Sequence, residues 1–303
     1  MPEHAQVRLR EVGLRDGLQL TSSFPSTETK IAIIEAEYAA GVRLFEAGSF
    51  VPPSRYPQFA DVRAVIDAIA SLPGATATAL ALNHRGALDA LGSGVPAIDF
   101  VVSASPEHQR RNANSTIDDA IAQLREAVIE RDRGAHRPSI SISVSMAFGC
   151  SIVGHVPPED VLSIVGRCRD AGADSVMLAD TVGYAGPRQI RELIDRVRAE
   201  IGDIDLGIHL HDTRGMAIAN AAAALDRGVT MFDGSIGGLG GCPFAPNATG
   251  NVVLEDLAFL CQTMGHDTGI DVAALGEARA LLQSALPDEQ LHGALARAGM
   301  PLT

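Results

Sequence analysis

The sequence lacks the long apolar and basic segments that mark membrane, exported and nucleic-acid-binding proteins. No apolar run approaches the roughly 18 to 20 residues that a membrane-spanning helix needs. The first ten residues, MPEHAQVRLR, have neither the apolar centre of a secretion signal nor the basic amphipathic character of a transit peptide. The net charge is -13 without a long basic run, whereas binding to nucleic acids or anionic membranes requires clustered lysine and arginine. We therefore expect a cytoplasmic protein with neither a nucleic acid nor a membrane as its partner.

Cysteine is also rare, and its spacing excludes two kinds of site. The chain has four cysteines, with no C-x-x-C pair and with long separations, so neither a zinc knuckle nor a disulfide framework is indicated. Any function of a cysteine is therefore individual. The four are Cys150, Cys168, Cys242 and Cys261.

What the sequence does contain is an eightfold alternation of short apolar runs with longer segments of helical spacing. A chain of 303 residues, 46% of them hydrophobic, can form two average domains or one α/β barrel. Eight strand-helix units fit a (β/α)8 TIM barrel better than an open doubly wound sheet, and no glycine-rich phosphate fingerprint follows the first strand. We expect one catalytic domain over residues 1–303, with the barrel at about 7–265 and C-terminal helices at about 266–303. The predicted strands are 7–12, 43–48, 75–82, 98–104, 139–146, 175–180, 205–211 and 230–235, and the predicted helices are 27–40, 57–71, 85–92, 116–133, 158–171, 187–200, 215–227 and 250–264.

Polar residues stand where several of these strands end. Reactive residues of a TIM barrel occupy such positions, so we expect them to converge on one mouth of the barrel, together with the glycine-rich loop after strand 8. They are Arg15 and Asp16 after strand 1, Glu46 in strand 2, Asn83 and His84 after strand 3, Asp180 at the end of strand 6, and His209 and His211 at the end of strand 7.

The two histidines of strand 7 are candidate metal ligands. Side chains two residues apart on a strand share a face, so His209 and His211 point the same way. Two imidazoles in this arrangement commonly hold a metal ion, although any single histidine is more often a hydrogen-bonded structural residue. Strand 1 closes the ring beside strand 8, so the nearest further ligands are Asp16 and Asn251. This donor set favours Mg²⁺ or Mn²⁺, with Zn²⁺ as the alternative.

Four segments, in order along the chain, carry a family resemblance. They are REVGLRDGLQ (10–19), FEAGSFVPP (45–53), HLHDTRGMAIAN (209–220) and GGLGGCPFAPNATGN (237–251). Over about residues 7–285 the chain resembles 3-hydroxy-3-methylglutaryl-CoA (HMG-CoA) lyase, which belongs to a metal-dependent superfamily of lyases and synthases built on a TIM barrel.

The resemblance implies a reaction and a homodimer. The reaction is the retro-Claisen cleavage of HMG-CoA, an acyl-CoA, to acetyl-CoA and acetoacetate. A divalent cation would hold the substrate's tertiary hydroxyl and a carboxylate, and Arg15 would stabilise the enolate that forms on the thioester oxygen. For Arg15, a structural ion pair with Glu46 or Asp16 is the alternative, and both can hold at once. The implied metal ligands are Asp16, His209, His211 and Asn251.

The resemblance also implies further catalytic and substrate-binding residues. Cys242 would be catalytic, as the acid that protonates the acetyl-CoA enolate, with a small buried apolar residue as the alternative. His209 would be both metal ligand and acid or base, and Glu46 would support Arg15. Asp180 would lie in the substrate pocket or would cap a helix. A basic segment near the acyl-CoA entrance would comprise Arg110, Arg111 and Asn112, for which a solvated surface is an equal alternative.

Two loops depart from the family pattern and leave the substrate open. Residues 148–156, FGCSIVGHV, lack the aromatic and acidic residues usual there, and the loop GLQLTSSF after strand 1 has no basic residue until Lys30. A related ester such as citramalyl-CoA or a longer-branched homologue is therefore an alternative substrate. A Claisen-condensing synthase, of the isopropylmalate or homocitrate type, is less compatible with the motif RDGLQ, with the cysteine loop and with an end at Thr303. A non-enzymatic metal-stabilised scaffold is the remaining alternative, although all the expected ligands are present.

Overall fold

Eight parallel strands form a closed barrel in the computed structural model, which describes residues 6–241 and 250–301. Each strand pairs with the next along the chain, and β1 closes the ring by pairing with β8. The (β/α)8 prediction is thereby confirmed. The strands are β1 Arg8–Glu11, β2 Leu44–Ser49, β3 Thr76–Ala81, β4 Ala97–Ser103, β5 Ser139–Ser145, β6 Ser175–Asp180, β7 Asp205–Leu210 and β8 Met231–Gly234.

Helices surround the barrel and continue after its last strand. Buried aliphatic side chains from the helices and from the outward faces of the strands form a continuous core around the ring, as parallel strands covered by helices require. None of the helices in the described ranges is long and apolar enough to cross a membrane. The helices are α1 Thr27–Ala39, α2 Val62–Ala70, α3 His84–Leu91, α4 Pro106–Ala113, α5 Ile117–Arg133, α6 Pro158–Asp170, α7 Pro187–Ile201, α8 Ala217–Leu225, α9 Leu254–Thr263, α10 Leu275–Ala285 and α11 Ala294–Ala298.

Three helical segments differ from the prediction. The predicted helix 57–71 is a short 3-10 turn, Pro57–Phe59, followed by α2. The predicted helix 250–264 begins only at Leu254, because the residues before it form bridges to strand ends. Helix α4 was not predicted, since its eight mostly polar residues carry no apolar period. Its Ser105 cap and Pro106 start are nevertheless recognisable signals in the sequence.

The C-terminal helices lie against the barrel's outer layer. Helix α10 packs against α1, and α11 packs against α9. Helix α10 also contributes Arg279, which pairs with Glu255 of α9 at 3.0 Å. The helical C-terminal extension expected from the sequence is thus present.

Three carboxyl groups are buried between the barrel and these helices. Glu11 accepts hydrogen bonds from the backbone N–H groups of Gly13 and Ile236, and burial raises its pKa to about 7. Glu37 of α1 is 1% exposed, and its Oε2 has no hydrogen-bond partner in the described part of the chain. Burial, and then the charges of Glu11 and Glu255, raise the pKa of Glu37 well above the ordinary value. Glu37 is therefore a group that folding keeps protonated.

We expect Glu37→Gln to stabilise the protein at alkaline pH only. At low pH the carboxyl is protonated in both the folded and the unfolded chain. Above its ordinary pKa of 4.5 the unfolded chain releases the proton and the folded chain holds it, so the free energy of unfolding falls as pH rises. The variant should raise Tm by roughly 2 °C at pH 8.5 and leave it unchanged at pH 4. Thermal unfolding at both pH values tests this, with exposed Glu35→Gln on the same helix as control; an equal gain at both pH values would contradict it.

Candidate active site

One cavity at the carboxyl ends of the strands gathers residues that are distant in sequence. Arg15 and Asp16 lie just after β1, His209 lies in β7, His211 lies just after it, and Asp233 lies in β8. All five line a cavity of about 100 Å³. Because β8 pairs with both β7 and β1, these residues form one continuous arc of the barrel mouth.

Three side chains of this arc form a group that can hold a metal ion. One ligand atom from each of Asp16, His209 and His211 lies within 4.8 Å of the others, and all three residues are buried. His211 Nε2 is 3.5 Å from Asp16 Oδ2. Burial by itself raises the pKa of Asp16, but Arg15 and His211 outweigh it and hold that pKa well below the usual carboxyl range. Asp16 is therefore ionised, as a candidate metal ligand should be.

Asn251 joins this group from the far side of the glycine-rich loop. An antiparallel bridge places it beside His211, and its Nδ2 donates to Asp16 Oδ2 and to the carbonyl of Leu239, both at 2.9 Å. Its Oδ1 and the Nδ1 of His211 are buried and have no hydrogen-bond partner among residues 6–241 and 250–301. A carboxylate, two imidazoles and an unsatisfied amide oxygen fit a divalent cation.

The glycine-rich loop reaches the metal group at Gly240. Its φ is +138°, and a Cβ there would lie 2.6 Å from Asn251 Nδ2 and 3.5 Å from Asp16 Oδ2. A larger residue would therefore displace the Asn251 side chain and strain the backbone at this positive φ, so a glycine is required at this position.

Arg15 makes the ion pairs that the sequence offered as an alternative to a catalytic role, and it also lines the cavity. Its Nε donates to Glu46 Oε2 at 2.7 Å, and its Nη1 donates to Asp16 Oδ1 at 2.5 Å. Burial raises the pKa of Glu46 to about 7, although Arg15 and Arg10 oppose the rise. Glu46 thus holds one edge of the guanidinium while the group remains at the cavity wall.

Three charged residues inside the barrel support the site and were missed by the sequence reasoning. Arg10 of β1 pairs with Asp233 through Nε at 2.8 Å and with Asp99 of β4 at 3.3 Å. Asp233 Oδ2 lies 3.0 Å from His209 Nδ1. Burial lowers the pKa of His209, but Asp233 and then Asp16 outweigh it and raise that pKa. A charge inside an otherwise apolar strand, as in VRLREV and TMFDGS, was the available signal.

Comparison with known proteins identifies the family. The family model described as HMGL-like matches residues 6–282. The chain belongs to the HMGL-like family. The resemblance predicted from the four motifs is thereby confirmed, and the protein is an enzyme of the lyase class with a candidate divalent-metal site.

Individual relatives agree with this assignment. The chain is 38% identical over 273 residues to the 3-hydroxy-3-isohexenylglutaryl-CoA/hydroxy-methylglutaryl-CoA lyase of Pseudomonas aeruginosa, covering 90% of each. It is 35% identical to the mitochondrial hydroxymethylglutaryl-CoA lyase of Arabidopsis thaliana, over 89% of this chain but only 57% of that longer protein. The structure of an HMG-CoA lyase from Acinetobacter baumannii, in complex with coenzyme A and 3-methylmalate, matches with a TM-score of 0.90 and 33% identity over 98% of both chains.

Asp180 of this HMGL-like enzyme is the buried last residue of β6. It accepts backbone hydrogen bonds from Tyr184 at 2.8 Å and from Ala185 at 3.1 Å. Burial raises its pKa, and these two N–H groups oppose the rise. The carboxylate therefore shapes the loop ahead of α7, while the next residue, Thr181, lines the cavity. Asn83, after β3, caps α3 by accepting from Gly86 N–H.

Arg110 and Arg111 lie on the outer side of α4. Both pair with Glu107 at 2.8 Å, and more than half of each arginine side chain is exposed. The inner side of the same helix presents His108 and Asn112 to the cavity, four residues apart as one helix face requires. The two arginines therefore lie on the surface, outside the cavity lining.

Cys242, the predicted proton donor, lies outside the described residues. The other three cysteines are buried and free of disulfides, which agrees with packing roles.

A second cavity of about 610 Å³ opens beside the first, shares Tyr56 and Phe59 with it, and is lined by Arg55, Arg63 and Arg85. It offers a mixed apolar and basic passage away from the metal group.

We expect Asp233→Asn to weaken metal binding in this HMGL-like enzyme by about 10–100-fold, the usual cost of losing the carboxylate that orients a ligating histidine. The carboxylate accepts the Nδ1 proton of His209 and leaves Nε2 for the metal, whereas an amide fixes the ring less firmly. Calorimetric titration with Mn²⁺ measures the effect, and thermal unfolding in EDTA checks the fold. Asp205→Asn, at the exposed start of β7, is the control. Unchanged Mn²⁺ affinity would show that Asp233 serves only Arg10.

Proposed function

We propose that this protein cleaves HMG-CoA, or a close 3-hydroxyacyl-CoA homologue, to acetyl-CoA and a keto acid by a metal-dependent retro-Claisen reaction. The observation that carries the proposal is the buried Asp16, His209 and His211 group in one cavity with Arg15. The relatives named for HMG-CoA cleavage support the choice of substrate.

The proposed cation is Mg²⁺ or Mn²⁺, with Zn²⁺ as the competitor, held by Asp16, His209, His211 and Asn251. Two of the four donors are oxygens, which suit the harder cations. When bound, the cation would lower the pKa of the substrate's tertiary hydroxyl and would orient that hydroxyl against a substrate carboxylate.

The protein's own side chains would then move protons and stabilise charge. The C2–C3 bond breaks, its electron pair passes to the thioester enolate, and the 3-hydroxyl proton leaves as the ketone forms. His209 is proposed to receive that proton at Nε2, because Asp233 at 3.0 Å engages its Nδ1; at that step Asp16, His211 and Asn251 would hold the cation. Protonation of the enolate carbon releases acetyl-CoA, and Cys242 is proposed as the donor on the strength of its motif.

Arg15 is proposed to stabilise the enolate oxygen. Its guanidinium is permanently charged and buried, and Glu46 fixes one edge by accepting from Nε at 2.7 Å. A fixed positive charge stabilises the transition state more than the neutral thioester, because negative charge appears on the oxygen only as the bond breaks.

The coenzyme A portion is proposed to extend through the second cavity. Its apolar lining suits the pantetheine arm, and Arg55, Arg63 and Arg85 suit the phosphates. Arg110 and Arg111 are proposed as outer contacts at the rim, and Asp180 as support for the pocket wall at Thr181. We also propose that the protein is cytoplasmic and forms a homodimer. Light scattering on the purified protein can test the homodimer.

Acetyl-CoA release from HMG-CoA tests the function directly. We expect release by the purified protein with Mg²⁺ or Mn²⁺ and none after EDTA, with recovery when the metal is restored. Citramalyl-CoA is assayed in parallel. If only citramalyl-CoA is cleaved, the substrate assignment changes and the proposed retro-Claisen reaction stands. If neither ester is cleaved, the proposal is overturned.

A further inference from the structure

The two sides of the cavity differ in chemistry. The charged groups Arg15, Asp16 and Asp233 belong to the arc of β7, β8 and β1. The opposite side of the closed ring, at β4 and β5, presents neutral hydrogen-bonding groups instead, among them His108 and Ser145. A substrate in the cavity therefore meets charge on one side and neutral polar groups on the other.

His108 is held in one position by its neighbours. It is 3% exposed, its backbone N–H donates to the capping Ser105 Oγ at 3.3 Å, and its Nδ1 lies 2.9 Å from Ser103 Oγ. Ser103 Oγ accepts the N–H of Ser105 at 3.1 Å, and in the tautomer that we assign it donates its own proton to His108 Nδ1. Burial lowers the pKa of His108 to about 4. The ring is therefore neutral and carries its proton on Nε2.

Ser145 extends the same wall from the next strand. It pairs in register with Ser103 across β4 and β5, and the residue is 7% exposed. Its Oγ is buried and has no hydrogen-bond partner among the residues that the structure describes. A buried, unsatisfied hydroxyl in a cavity wall is stabilised by a ligand oxygen and destabilised by an alkyl group.

The geometry of the substrate determines what this wall meets. Under the proposed function, C3 carries a hydroxyl, a carboxymethyl group, a thioester arm and one further substituent. The hydroxyl, the carboxylate and the thioester oxygen are drawn to the charged side of the cavity. Because C3 is tetrahedral, the remaining substituent projects away from them, toward the wall that contains His108 and Ser145.

We propose that His108, assisted by Ser145, is a specificity-determining residue that restricts the C3 substituent to a methyl group or a group bearing an oxygen and disfavours a long alkyl or alkenyl chain. The inference rests on the proposed function. The proposed substrate preference differs from that of the Pseudomonas aeruginosa relative, whose name includes an isohexenyl substrate.

Three esters that differ only at C3 test the inference: HMG-CoA, its isohexenyl homologue and its hydroxymethyl homologue. The wild-type protein should cleave the methyl and hydroxymethyl esters with kcat/KM about 10-fold or more above the isohexenyl ester. His108→Leu should raise the isohexenyl-to-methyl ratio about 10-fold and lower the hydroxymethyl-to-methyl ratio. His108→Gln, which retains an N–H donor, should keep the wild-type order, and Ser145→Ala should shift the ratios in the same direction as His108→Leu but less.

Equilibrium binding gives a readout that does not depend on turnover. The same substitutions, made in an Arg15→Met background in which turnover should be slow, should change the relative affinities for the three esters in the same order when measured by calorimetry. His136→Leu, at an exposed position near the start of β5, controls for the loss of a histidine. If the wild type cleaves HMG-CoA and His108→Leu and Ser145→Ala leave both ratios within twofold, only this inference fails. If the wild type neither binds nor cleaves any of the esters, the proposed function fails and the inference with it.

Discussion

Replacing Arg15 with methionine should lower kcat for acyl-CoA cleavage by roughly 10³-fold or more, since the loss of even one uncharged donor to a developing oxyanion costs about 10²–10³-fold. The guanidinium is the only buried cation that lines the cavity in the described part of the chain. Methionine has a long side chain without a charge, so the substitution removes the electrostatic stabilisation of the enolate oxygen with little loss of packing. Single-turnover kinetics at saturating Mn²⁺ would measure the chemical step.

The contribution of Arg15 to catalysis must be separated from its ion pairs. Glu46 and Asp16 both lose a partner in Arg15→Met, and the pKa of Asp16 should rise because Arg15 is the main group that lowers it. Mn²⁺ affinity is therefore measured at pH 8, where Asp16 is ionised in both proteins, and should change less than about 10-fold. Arg15→Lys should retain charge and part of the rate. If Arg15→Met kept more than a tenth of kcat, the arginine would be a structural ion-pair residue.

The strands and the catalytic end of the barrel were predictable because both follow from local pattern. Each strand is a short apolar run bounded by polar or glycine-rich segments, and no predicted strand end is in error by more than one residue, as β6 at Ser175–Asp180 shows. Once the barrel is inferred, parallel strands bring their carboxyl ends together. Asp16 and His209 could therefore be assigned to the same mouth of the barrel without knowledge of any side-chain contact.

The inner supports of the site could not be predicted because they depend on the orientation of neighbouring residues. Arg10 and Glu11 are consecutive charged residues of β1, and alternation requires that they point to opposite faces. Only the register shows that Arg10 faces Asp233 inside the barrel and that Glu11 turns to the helices. The order of charged residues in the sequence of β1 would be the same if Arg10 faced the helices and Glu11 faced the interior of the barrel.

Helix α4 shows a different limit of sequence reasoning. The segment SPEHQRRNA was interpreted through its charge, which drew attention to Arg110 and Arg111. The helix turns both arginines toward Glu107 at the surface and turns His108 inward. An eight-residue polar helix has too few apolar positions to reveal its buried face, so His108, which lines the cavity, was not singled out from the sequence.

The metal site itself is most directly tested at Asp16, and Asp16→Ala should abolish turnover and reduce Mn²⁺ affinity by roughly 10³-fold, more than the 10–100-fold that a supporting residue costs. Asp16 is the only carboxylate of the ligand group identified in the described residues. It also accepts from Asn251 Nδ2 and lies 3.5 Å from His211 Nε2, so its removal frees two further ligands from their positions.

Asp16→Asn separates charge from geometry at the same position. The amide retains one oxygen and the side-chain volume, so metal affinity should fall less than in Asp16→Ala, but the charge that balances Arg15 is lost in both variants. Mn²⁺ binding is measured by electron paramagnetic resonance, and thermal unfolding in EDTA shows whether each variant folds. Wild-type Mn²⁺ affinity in Asp16→Ala would place the cation elsewhere. A graded loss from Asp16→Asn to Asp16→Ala, with kcat absent in the second, would instead show that this carboxylate binds the cation on which cleavage depends.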